Sequence, residues 1–129
     1  MQHQHTFDIV VRALVKQGTP SGVRVNDGGF ECRYLDPNGN RCAAGHLGNG
    51  FTEYVTINAA ENRAIVEHEG HDVCLVAKLQ SDHDEAAVET DGSAEWMSKW
   101  AEYTRATAKR NSLSTAALDE ALAARATKA

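Results

Sequence analysis

Phe30 to Leu47, FECRYLDPNGNRCAAGHL, places two thiols, a histidine and a tight turn within eighteen residues. Two kinds of chemistry use such groups. Cys32, Cys42 and His46, joined by His71 and Cys74, would offer soft ligands to a tetrahedral zinc ion. Cys42 with a histidine elsewhere is the minimum for a thiol nucleophile, and Cys42 at a helix N-terminus would favour its thiolate. Each reading meets a plainer one. The paired C-x2-C of strong zinc sites is missing, although a hairpin would bring Cys32 to Cys42 and His71-x-x-Cys74 has usable local spacing. No acid, orienting asparagine or oxyanion element is identifiable for a thiol enzyme. Free cysteines are commonly small buried hydrophobes. The favoured expectation is no catalytic set, no metal and no cofactor.

Charge supplies the other candidates. The 129 residues carry a formal net charge of −5, distributed unevenly. Residues 53–95 hold eleven acids against Arg63 and Lys78, whereas residues 1–52 and 96–129 are net basic. The acidic block reads as a solvated face or as a docking surface for a basic partner. Glu85, Glu89 and Asp91, expected in an acidic loop over 85–92, are the residues chosen for partner binding. Asp82-His83-Asp84-Glu85 lacks the spacing of a calcium loop and reads as a solvated charge run ending a helix. A helix-turn-helix over 94–126 is disfavoured, because TAALDEALAARA carries Asp119 and Glu120 and only Arg125 among bases. No specific duplex DNA binding is expected. Trp96, Trp100 and Tyr103, at i, i+4, i+7, are one helix face and default to core, with any exposed part open to a partner.

These residues need elements to hold them. Phe7, Val10, Val11, Leu14 and Val15 follow one helical face behind a Thr6 cap, and Gly18 and Pro20 stop that helix at 17. Residues 18–29 read as a Gly- and Ser-rich loop. Phe30, Cys32 and Tyr34 alternate into a strand with an aromatic face, Asp36-Pro37-Asn38-Gly39 turns the chain, and Arg41–Ala43 returns it as a short strand. Such a hairpin is marginal alone and must lie on helices. A short helix begins at Asn58 and ends near Gly70. Another starts at Asp72 and ends around Asp84. A longer one, capped by Ser93, runs to 110 with Asn111 as its left-handed C-terminal residue, and Ser114 caps the last.

The Cys32-x-Tyr34 pair, the Asp36-Pro37-Asn38-Gly39 turn and Cys42-Ala43-Ala44-Gly45-His46-Leu47 resemble a family of small uncharacterised proteins of tailed bacteriophages and prophages. Members are similar in the leading amphipathic helix, the acidic helix region and the Trp-bearing helix. Residues 32–47 match specifically; Gly48-Asn49-Gly50 departs from the Ile-Pro-Asp-type segment of such relatives. The resemblance implies a viral origin and carries over no activity.

The expectation is one α+β domain over residues 1–129, mainly α, with about five helices packed on one small β-hairpin. No apolar run approaches the ~20 residues of a bilayer span. MQHQHTFDIVV lacks the basic start and continuous apolar run of a signal peptide. The cytoplasm of a bacterial host, with its cysteines as thiols, is the expected setting. The expected function is that of a non-enzymatic phage accessory protein that binds a host or viral macromolecule, with a protein partner foremost and inhibition of a host defence process within scope. A zinc-stabilised module and a Cys-dependent enzyme are the alternatives.

Overall fold

The computed structural model describes residues 3–24, 30–33, 35–47 and 60–128. Five helices dominate: α1 (His3–Gln17), α2 (Ala60–His68), α3 (Val73–Glu89), α4 (Ser93–Arg110) and α5 (Ala116–Lys128). Two three-residue strands, β1 (Gly22–Arg24) and β2 (Phe30–Cys32), and a 3-10 turn over Ala44–Leu47 are the other elements among the described residues. The fold is mainly α with minor β, as the sequence implies. No helix among the described residues is long and apolar enough to cross a membrane.

Buried side chains from all five helices, Val66 of α2 included, meet in one cluster. Phe7, Val10 and Leu14 of α1, Val76 and Leu79 of α3, Trp96 and Trp100 of α4 and Leu118 of α5 are all essentially solvent-free. Each such aliphatic or aromatic side chain contributes roughly 1.5–3 kcal/mol of burial. The two tryptophans stack with ring centroids 5.4 Å apart, in the core role that their spacing predicts. α3 packs chiefly on α4, and α1 on α5. Among its described side chains α5 fully buries only Ala117 and Leu118, and polar contacts help hold it. Arg105 of α4 pairs with Asp119 at 2.6 Å. Arg125 donates to the Val15 carbonyl at 3.2 Å.

Helix ends differ from expectation in instructive ways. α1 starts at His3, so Thr6 is no cap: it is buried, and its hydroxyl shares a 2.7 Å hydrogen bond with His71 Nδ1. Gly18 does end α1, with φ +80° and its N–H on the Leu14 carbonyl. Asp72 does cap α3, accepting from the Leu75 N–H at 3.0 Å. α3, however, runs on to Glu89 instead of stopping at Asp84. Ala86 and Ala87 are good helix formers and are fully buried, which extends the apolar face. The cap of α4 is Gly92, not Ser93, whose hydroxyl instead donates to Thr19 Oγ1. Asn111 closes α4 with φ −104°, and the left-handed residue is Ser112, with φ 56°.

The hairpin is redrawn. β2 pairs antiparallel with β1, from Gly22 opposite Cys32 to Arg24 opposite Phe30, so part of the expected 18–29 loop is strand. The expected return strand over Arg41–Ala43 is reduced to one bridge, Leu35 to Arg41. The reason is competition for the backbone. The Asp36 carboxylate accepts from the N–H groups of Gly22, Asn38 and Asn40, which ties the turn to β1. Gln17 takes both the N–H and the carbonyl of Arg41, so no strand can continue there. Tyr34 and the side chains of Phe30 and Cys32 lie outside the described residues.

Candidate functional site

Two groups of residues stand out: a polar cluster buried beneath the 19–47 segment, and an acidic face where α3 meets α4. The first is built on His83, which is fully buried. The Ser21 N–H donates to its Nε2 at 3.0 Å. Nε2 therefore carries no proton, and Nδ1–H donates to Asp84 Oδ1 at 2.8 Å. Gln80 Nε2 donates to the same oxygen at 2.8 Å, while its Oε1 accepts from the Ala44 N–H at 3.0 Å. The indole N–H of Trp96 donates to the His83 carbonyl, and the two rings meet edge to face at 5.7 Å. Asp82 is only 2% exposed. It accepts from the Thr107 hydroxyl at 2.6 Å and lies 3.5 Å from Lys78 Nζ. The Asp82–Glu85 run is thus no solvated helix end. Asp82 and His83 are interior and Asp84 is hydrogen-bonded to His83, because the helix continues past them.

The candidate zinc ligands do not converge. Cys42 is fully buried, and its Sγ accepts from the Gly45 N–H at 3.3 Å. Burial, with the Asp84 charge adding to it, pushes its thiol far above its ordinary range. Cys42 is accordingly a neutral thiol at neutral pH and a poor nucleophile. His46 Nε2–H donates to Gln17 Oε1 at 3.0 Å. Burial and, after it, the neighbouring Arg41 push it down to about 4, so it is neutral. His71, also pushed down by burial, is held at Thr6. Thr6 and Gln17 are eleven residues apart on α1, about 16 Å along the axis. Cys74 is exposed at the start of α3. The Cys32 side chain lies outside the described residues. Among the described residues, no three His, Cys, Asp or Glu side chains gather as a metal site.

The acidic face is regular in construction. Glu85 and Glu89 lie on α3 and not in the expected loop, with Asp91 just beyond. Glu85, Val88 and Glu89 share one helix face at i, i+3, i+4. Val88 is 61% exposed, the most exposed large hydrophobic side chain among the described residues. The Tyr103 hydroxyl of α4 donates to Glu89. That carboxylate raises the phenol to about 12. Lys99 sits over the Tyr103 ring, 5.7 Å from its centroid. The face thus carries exposed Val88 flanked by Glu85 and Glu89, with half-buried Tyr103 joined to it through Glu89 and topped by Lys99.

Gln17, Ser21, Gln80 and Thr107, which hold the polar cluster, belong to no motif. One signal was available: Gln80 and His83 fall on the line Val76, Gln80, His83, Ala87, the helical continuation of the apolar face of α3.

Comparison of the chain with protein families, curated proteins and solved structures finds no match.

Proposed function

We propose that this chain is a non-enzymatic accessory protein that acts by contact, docking a basic segment of a protein partner on the α3–α4 acidic face. The carrying observation is Val88, 61% exposed between the exposed carboxylates of Glu85 and Glu89. An exposed apolar side chain flanked by two carboxylates supports docking: the charges steer encounter, and the desolvated centre sets residence time. The buried, neutral state of Cys42 favours this reading over a thiol enzyme. The bacteriophage setting, and action against a host process, rest on the resemblance of residues 32–47.

The test compares capture from bacterial lysate by the wild-type chain, by the Glu85→Ala/Glu89→Ala/Asp91→Ser variant, and by a control altered at the exposed Glu67 of α2 and Glu69 just beyond it. A protein captured by wild type and control, lost with the triple variant and released by salt, supports the proposal. Equal capture by all three overturns it.

A further inference from the structure

A cavity of about 320 Å³ opens where the start of α3 faces the end of α4. Three groups able to carry positive charge line it from three helices: His3 of α1, Lys78 of α3 and Arg110 of α4. The carboxylates nearby are engaged. Asp72, which also lines the cavity, caps α3 through the Leu75 N–H and lies 3.8 Å from His3 Nε2. That cap occupies the helix N-terminus, so the amides of α3 are not the attraction. Asp82 takes the hydroxyl of Thr107, a lining residue, and lies 3.5 Å from Lys78 Nζ. Arg110 makes no ion pair or side-chain hydrogen bond among the described residues.

We propose that this cavity binds a small divalent oxyanion of the sulfate or phosphate class between Lys78 and Arg110, and that the buried Asp82 competes with the anion for Lys78, coupling anion binding to proton uptake. Lys78 is the shared element. With Asp82 ionised, its ammonium is neutralised from below. With Asp82 protonated, the ammonium has no internal counter-charge and its exposed end turns to the cavity. An anion that draws Lys78 upward leaves a buried carboxylate without its cation, and such a group takes up a proton. Burial already raises Asp82 to about 6, within reach of this exchange. The charged groups bearing on Asp82 are Lys78 and Glu85 of its own helix; Thr107 faces it from α4. Coupling of this kind is reciprocal: the anion raises the affinity for the proton as much as the proton raises that for the anion.

Sulfate is the probe, because it is a dianion throughout the range used. It is titrated into the full chain at matched ionic strength at about pH 5 and about pH 8, with amide shifts of Cys74, Leu75, Arg110 and Asn111 and the Asp82 carboxyl carbon followed by NMR. Saturable binding is expected, roughly tenfold tighter at the lower pH, with the Asp82 titration midpoint displaced upward by sulfate. Arg110→Gln should abolish saturation. Asp82→Asn, which keeps an acceptor for Thr107, should bind at high pH as tightly as wild type does at low pH. Shifts that follow ionic strength alone, unaltered binding in Arg110→Gln, or full pH dependence surviving in Asp82→Asn (which would place the proton on His3) each overturn the proposal. The Asp82 midpoint in wild type tests the coupling even if a variant fails to fold.

Discussion

The side-chain amide of Gln17 brackets the backbone of Arg41: its Oε1 accepts from the Arg41 N–H at 2.8 Å and its Nε2 donates to the Arg41 carbonyl at 2.9 Å. A side chain at the end of α1 thereby does what a neighbouring strand would do. The same oxygen takes the His46 Nε2–H. One residue thus secures both ends of the 41–46 segment to the helix.

Gln17→Ala should therefore cost more than an ordinary substitution at a half-buried helix end. Removing it strands the Arg41 amide groups and the His46 donor, and each polar group left unpaired in the interior costs about 1–3 kcal/mol. A loss of about 2–4 kcal/mol is expected in urea melts, against less than about 0.5 kcal/mol for the exposed neighbour Lys16→Ala. Equal effects of the two would show that the bracket contributes nothing.

Gly18 and Arg125 should prove coupled. Gly18 has φ +80°, and a Cβ there would overlap the Arg125 guanidinium. That guanidinium also donates to the Val15 carbonyl at the C-terminal end of α1, where a cation complements the helix dipole. Gly18→Ala should destabilise by about 1–2 kcal/mol from backbone strain, and more where Arg125 resists displacement. In an Arg125→Ala background only the backbone part should remain. A double-mutant cycle with no coupling energy removes this account.

Asp82 and His46 should oppose each other in acid. Asp82 is raised to about 6 by burial, so the folded chain binds its proton before the unfolded chain does. Its contribution is fully present below the unfolded carboxyl value and is lost as pH rises through 6. His46, lowered to about 4, is protonated first in the unfolded chain, so acid below its unfolded value erodes stability. Asp82→Asn mimics the protonated acid. It should be more stable than wild type above pH 7, by up to about 2–3 kcal/mol, with the difference closing near pH 4. Between those limits the variant should lose stability more steeply on acidification than wild type. Denaturant melts at stepped pH give both curves; a variant less stable than wild type at pH 8 contradicts the argument.

The acidic face should separate from the fold. Glu85→Ala/Glu89→Ala/Asp91→Ser should leave the melting temperature within about 2 °C, as exposed substitutions do. The Tyr103 phenol should move back toward its ordinary value once Glu89 is gone, readable by ultraviolet titration. Partner capture should weaken through slower association. Cys42→Ser buries a hydroxyl in place of a thiol and should cost about 1–3 kcal/mol, yet leave capture intact in the folded variant. Loss of capture in folded Cys42→Ser with full capture by the acidic variant would transfer the function to the thiol.

The sequence by itself determined the helices. The 3.6-residue recurrence from Phe7 to Val15, the Trp96–Trp100–Tyr103 stripe, Gly18 as a stop and Asp72 as a cap are local signals, carried by residues within a turn or two of each other. The acidic composition of 85–91 was legible as well. Tertiary structure decided where α3 ends, since alanines at 86 and 87 signal nothing until α4 covers them. It also decided the strand partner of β2. Asp36 and Gln17 reach backbone groups fourteen and twenty-four residues away in the chain, and no periodicity encodes which amide a carboxylate or carboxamide will find. The same holds for His83: beside three acids in the chain it reads as solvated, and only packing of the 19–47 segment and α4 on α3 makes it interior. Apolar burial is proportional to area and repeats with the helix. A buried hydrogen bond is directional and specific to its partner, so it comes into being only when distant segments are brought together.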